Sequence, residues 1–158
     1  HISDRETLRE IGSYKEVLYR DLYRPHIQPI AGLESFLTQI HQRNLPMGIA
    51  TMGDQHNIDF TFEALQIGPY FHSTTGGNEV VRGKPHPEIF LTAAQKIGVD
   101  PQDCLAFEDT RSGITAALQA GMDVVGVTTM FDEKTLLALG CIKTISHYKK
   151  INPDFIYN

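Results

Sequence analysis

Short apolar runs alternating with amphipathic stretches constrain this chain more than any other feature. Residues 47–51 (MGIAT), 103–108 (DCLAFE), 123–127 (DVVGV) and 141–145 (CIKTI) each read as a strand, and 70–75 (YFHSTT) as a weaker one. Between them, residues 57–67, 86–98, 111–121 and 132–140 repeat apolar side chains at helical spacing, with Gly98 and Gly121 as closing residues of the second and third. Strands that are apolar throughout must be covered on both faces. Strand and helix in alternation, joined by right-handed crossovers, then give an α/β fold with a doubly wound parallel sheet. Upstream, a helix is expected over residues 4–22, with Leu8, Ile11, Leu18 and Leu22 on one face and Ser3 or Asp4 as its cap. Pro25 and Pro29 break the chain in a hinge, and a second helix over 32–43 turns Leu33, Phe36, Leu37 and Ile40 to one side.

At 158 residues the chain has room for one domain with a real core. A charged fraction of 21% against 41% hydrophobic is a globular balance and excludes a disordered chain. The net charge of −5 comes with no block of Lys or Arg, so the basic footprint of a nucleic-acid partner is missing. Cys104 and Cys141 each sit in an apolar stretch. Two buried thiols in a reducing compartment, hence a cytoplasmic setting, fit that better than a disulfide framework. No apolar run approaches the length of a membrane span, and none reads as a signal peptide.

Ligands of a doubly wound sheet bind beyond the carboxyl ends of its strands. That rule singles out Thr51, Lys84 in the loop after residues 70–75, and Glu108 with Asp109. Each has a bland reading. Thr51 is an ordinary helix cap, Lys84 a surface lysine, and the two acids a solvated loop start. Together they carry a chemistry. The Thr51 hydroxyl and the N–H groups of Met52 and Gly53 can donate to phosphate oxygens. Lys84, held between Gly83 and Pro85, can neutralise a phosphate. Two adjacent carboxylates supply hard oxygens of the kind Mg²⁺ takes. Polarising hydroxyl, cation and metal-holding acids are what phosphoryl transfer needs, since it is mostly positioning and charge stabilisation.

The segments GIATMGD (48–54) and RGKPHPEIFLTAAQKIGVDPQDCLAFEDTRSGITAALQAGMDVVGV (82–127), in that order, resemble motifs two to four of the haloacid dehalogenase-like hydrolases. The branch containing β-phosphoglucomutase and phosphoglycolate phosphatase is the nearest match, and the resemblance covers about residues 29–145. It implies that Thr51 binds the transferring phosphoryl group. Lys84 would neutralise that group and the nucleophile, and Glu108 with Asp109 would hold Mg²⁺. It also implies a small phosphorylated metabolite as substrate, and a monomer. Residues 1–28 are similar to the last helix and return hinge of that branch's helical cap, and 29–158 to its core.

The family's first motif, Asp-x-Asp-Gly-Thr, is not found in these residues. Its first Asp is the nucleophile and its second the general acid/base, and Asp54 and Asp59 are poor substitutes. The strand bearing that motif lies, in the family, between the strands matched here by 47–51 and 103–108. Leaving it out would strand buried N–H and C=O groups. A longer polypeptide is therefore expected, with an upstream segment that brings the strand, the nucleophile and the earlier cap helices; the chain also does not open on Met. The resemblance leaves a phosphatase and a sugar phosphomutase both open. Gly53 and Asp54 stand where the mutase places a hydroxyl and a basic residue, which favours the phosphatase, because an acid repels a second phosphate. A dehalogenase proper would not need the acidic pair. A phospho-acceptor receiver would carry its acids before its Thr and Lys, the reverse of this order. A catalytically dead binding module follows only if the chain is complete. His56, His72 and His86 share no element at ligand spacing and read as loop or surface residues, Arg82 as a solvated cation, and Tyr14, Tyr19 and Tyr23 as a face that packs on cap helices.

Overall fold

Val124 and Val125 are neighbours in one strand, both fully buried, and they serve different cores. Successive side chains of a strand leave opposite faces, so this pair can be buried only if helices cover the sheet on both sides. The computed structural model describes residues 4–152 and Asp154. In chain order the elements are α1 (Arg5–Tyr23), α2 (Leu33–Gln42), β1 (Gly48–Ala50), α3 (Gln55–Leu65), β2 (Ser73–Thr75), α4 (Glu88–Ile97), β3 (Leu105–Glu108), α5 (Arg111–Gln119), β4 (Asp123–Val127), α6 (Glu133–Ala138) and β5 (Lys143–Ile145). All the strand pairs are parallel. The α/β alternation expected from the apolar runs is the architecture observed.

On one face, α4 packs on β1, β2 and α5, while α5 and α6 pack on β3, β4 and β5. Ile89 and Phe90 of α4, Ala106 of β3, Ile114 and Ala117 of α5, Val124 of β4 and Leu136 of α6 form the core there. Burial of Ile89, Ile114 and Leu136 is complete, each contributing about 1.5–3 kcal/mol relative to exposure. On the other face, Phe36 and Ile40 of α2 close over Val125, Val127 and Ile145.

Two local devices set the chain's path. Asp4 caps α1, its carboxylate accepting from the Thr7 N–H at 3.0 Å and the Thr7 hydroxyl at 2.7 Å; Ser3, the other expected cap, lies outside the described residues. Gly32 starts α2 with φ 85°, in the left-handed region that glycine adopts without steric cost. A side chain there would also collide with the backbone of Lys149. That close approach lets the 3-10 turn Tyr148–Lys150 lie against α2, and the Tyr148 N–H donates to Ala31 O at 2.8 Å.

The sheet is not continuous. Among the described residues β1 pairs only with β2, and β3, β4 and β5 form a second group, so β1 and β3 are not hydrogen-bonded neighbours. Strand alternation says which groups are left over. The Thr51 N–H donates to Thr75 O across the β1–β2 ladder, so Gly48 and Ala50 turn their N–H and C=O to the opposite edge. The Asp123 N–H donates to Cys104 O, so Leu105 and Phe107 likewise face away from β4. Among the described residues, two strand edges thus lie without a strand partner, on β1 and on β3. Among the described residues no helix is long and apolar enough to cross a membrane.

Candidate active site

The expected site residues converge where β1 and β3 end. A cavity of about 490 Å³ is lined by Thr51, Met52, Lys84, Glu108 and Asp109, with Thr110, Ser112 and Thr129. Its less polar wall is Ile30, Ala50, Phe107 and Val127. Gly53 lines a neighbouring cavity, which shares Thr51 with the first. The Gly53 N–H donates to Thr51 Oγ1 at 3.1 Å, which fixes the hydroxyl oxygen and leaves its proton to be donated elsewhere.

Lys84 is drawn into this site from three sides. Its Nζ donates to Ala50 O at 3.2 Å, on the open edge of β1, and to Glu108 Oε1 at the end of β3. It also lies 4.8 Å from the centre of the Phe90 ring, a cation–π distance. The lysine therefore bridges the two parts of the sheet. The Lys84 and Glu108 side chains are only 12% and 9% exposed. Removing either partner would leave a nearly buried charge, a loss of about 3–5 kcal/mol.

The two adjacent acids have different surroundings. Glu108 Oε2 accepts from the Asp109 N–H at 3.1 Å, the Thr110 N–H at 3.2 Å and the Thr110 hydroxyl at 3.0 Å. Thr110 Oγ1 in turn accepts from the Gly113 N–H at 3.0 Å, capping α5. A Cβ on Gly113 would overlap the Glu108 carboxylate, so this position has to be glycine for the acid to sit there. Asp109 has a single protein donor among the described residues, the Thr129 hydroxyl at 2.6 Å on Oδ2. Its Oδ1 takes no protein donor among the described residues and is free to meet a cation. Mg²⁺ takes one or two carboxylates, with waters and substrate oxygens completing its shell, so this donor set fits it, with Asp109 the open ligand and Glu108 already largely satisfied. The described residues hold no cluster of three or more metal-ligating side chains.

Thr110, Gly113, Phe90 and Thr129 escaped the sequence reading. Thr110 and Thr129 could have been found from the carboxyl-end rule, since both follow strand ends. Phe90 and Gly113 matter only through packing and left no signal. Asp54 caps α3, its Oδ1 accepting from the Asn57 N–H at 2.9 Å. Asp59 accepts from Gln55 Nε2 at 2.7 Å. Arg82, read as solvated, pairs with Glu88 at 3.4 Å while staying 66% exposed. Tyr14, Tyr19 and Tyr23 are exposed, the last two stacked 5.4 Å apart.

Residues 2–127 match the family described as haloacid dehalogenase-like hydrolase. The chain belongs to that family. A "Probable pseudouridine-5'-phosphatase" of Drosophila melanogaster is 35% identical over 156 residues, covering 94% of this chain and 65% of that protein. A β-phosphoglucomutase of Bacillus subtilis is 38% identical over 98 residues, covering 62% of this chain and 42% of that protein. This chain thus spans from about two fifths to just under two thirds of the length of these two haloacid dehalogenase-like relatives. Among solved structures, a haloacid dehalogenase-like hydrolase of family IA, variant 3, from Entamoeba histolytica superposes with a TM-score of 0.89 at 29% identity, covering 98% of this chain and 73% of that one. Relatives bearing phosphatase and mutase names therefore share this core.

Proposed function

We propose that this chain is the greater part of a Mg²⁺-dependent phosphoryl-transfer enzyme working through an aspartyl-phosphate, and a phosphatase of a small phosphorylated metabolite. The observation that carries the reading is the Lys84 ammonium, fixed between Ala50 O and Glu108 at the mouth of a cavity that Thr51 and Asp109 also line. In it, Thr51 and the Met52 N–H donate to the phosphoryl oxygens, while Lys84 offsets charge on phosphate and nucleophile. Glu108 anchors Lys84, and Asp109 with Glu108 holds the metal. When bound, Mg²⁺ would neutralise charge on the transferring group.

The nucleophile and the general acid/base belong, in this reading, to a strand of the longer polypeptide that lies between β1 and β3. The edge groups of Gly48, Leu105 and Phe107, which have no strand partner among the described residues, support it. Residues 1–28 act as part of a cap with its hinge, and 29–158 as the core. Substrate aside, we expect a monomer with no nucleic-acid or membrane partner, and a cytoplasmic setting in keeping with the unpaired thiols of Cys104 and Cys141.

Phosphatase is favoured over mutase by Asp54. Its carboxylate is fastened at the N-terminus of α3, where a second substrate phosphate would meet negative charge. The test is turnover by the full-length protein. Hydrolysis of p-nitrophenyl phosphate that needs Mg²⁺ and stops with EDTA is expected, and so is its absence in the 158-residue chain alone. Isomerisation of β-glucose 1-phosphate with little hydrolysis would select the mutase. Hydrolysis by the 158-residue chain alone would refute the missing nucleophile.

A further inference from the structure

Lys84 is anchored at its ammonium, but the loop that leads to it is exposed. Val81 is 94% exposed and the Arg82 side chain 66%, so apolar packing does not secure this stretch. Beside the His86 N–H that donates to Gly83 O at 3.0 Å, one carboxylate secures it. Glu88, the first residue of α4, reaches back over the loop. Its Oε1 accepts from the Val81 N–H at 2.7 Å, and its Oε2 from the Arg82 N–H at 3.2 Å and from Arg82 Nε at 3.4 Å. His86 Nδ1 lies 3.8 Å from the same oxygen and accepts from the Glu88 N–H at 3.2 Å. Two successive backbone N–H groups held by one ionised acid make a strong, directional clamp. Past the clamp, the Gly83 backbone lies beside the Met52 methyl group, so the loop also touches the residue that follows Thr51. Two residues after Glu88 comes Phe90, whose ring lies under the Lys84 ammonium. The first turn of α4 therefore fastens the loop backbone with one side chain and backs the lysine with another.

We infer that Glu88 is the positioning residue of Lys84: it touches neither cavity nor substrate, and it acts by holding residues 81–82 so that the Lys84 ammonium reaches Ala50 O and Glu108. The inference rests on the proposed role of Lys84. Its signature is coupling. A residue that acts only through Lys84 loses its effect when Lys84 is gone.

The test compares Glu88→Ala and Glu88→Gln in the full-length protein, each alone and combined with Lys84→Met. With p-nitrophenyl phosphate, Glu88→Ala is expected to lower kcat by about 10- to 100-fold, the scale of a 1 Å misplacement. Gln keeps one acceptor oxygen and should recover part of that loss. In the Lys84→Met background, Glu88→Ala should change kcat by less than about twofold. Equal factors in both backgrounds, or wild-type kcat in Glu88→Ala, would overturn the inference. If the wild-type protein hydrolyses nothing, the functional reading fails, and a readout without turnover decides the positional claim. There, Glu88→Ala should speed amide exchange at Val81 and Arg82 and abolish the slowly exchanging ammonium signal of Lys84 in nitrogen-15 spectra. An unchanged Lys84 signal would refute it.

Discussion

Glu108 owes its place to the hydrogen atom on Gly113. A methyl there would occupy the carboxylate's position, although alanine is the better helix former and would by propensity alone stabilise α5 by about 0.5–1 kcal/mol. The two effects have opposite signs, so the measured sign decides. Gly113→Ala is expected to destabilise the protein by about 1–3 kcal/mol in urea unfolding, because overpacking at a satisfied carboxylate outweighs propensity. The pair of Glu108 with Lys84 should loosen at the same time. A stabilised variant would mean that Glu108 swings aside at no cost. Thr51, Lys84, Glu108 and Asp109 were legible in the sequence because they end strands or sit in strand-end loops, where one topological rule applies. Gly113, Phe90 and Glu88 were not, because each works by packing or by bonding back along the chain, and residue type alone does not announce that.

At the scale of elements, the strands and helices were legible because apolar period is a property of the sequence itself. Their edges were less so. The helix expected over 57–67 is α3, Gln55–Leu65, because Asp54 rather than a later residue caps it. The weak strand at 70–75 narrows to Ser73–Thr75, where the Thr75 hydroxyl is fully buried with no partner among the described residues, a polar strand that only tertiary packing explains. The turn at Tyr148–Lys150 had no signal at all. Tyr148 packs with its ring tilted against Phe36 and Phe107, with ring centres 5.2 Å and 5.7 Å away. Burial first, then the charge of Asp109, pushes its hydroxyl from an ordinary 10.0 up to about 12. A raised folded value means the folded state keeps the proton, so this stability is whole below pH 10 and is lost as pH rises from there through 12. The loss would approach ~3 kcal/mol from a shift of that size. Denaturant unfolding between pH 8 and 11 should show its onset. Tyr148→Phe, which has nothing to ionise, should flatten that part of the profile; an identical slope in both proteins would refute the assignment.

Over the whole molecule, two unfinished surfaces stand out. One is the pair of strand edges between β1 and β3. The other is α1, which exposes Leu8, Ile11, Tyr14, Val17, Leu18 and Leu22 and is tied to α3 through Asn57, which accepts from Arg20 at 2.9 Å and donates to Glu16 at 2.7 Å. Apolar surface of this extent on one helix is more than a monomer usually leaves to water. The 158-residue chain alone is expected to bind and brighten a hydrophobic dye such as ANS, and the full-length protein to do so several-fold less. Equal fluorescence per mole would show that α1 remains uncovered in the longer polypeptide proposed above.

The different surroundings of Glu108 and Asp109 make the acidic pair ordered, like two letters that cannot be transposed. An Asp at 108 would be one carbon too short to reach Lys84 while taking three donors from residues 109 and 110. A Glu at 109 would carry its carboxylate beyond the Thr129 hydroxyl that holds Asp109 now. The exchanged pair would have the same charge, the same ligand types and the same strand end, and it would be a different site.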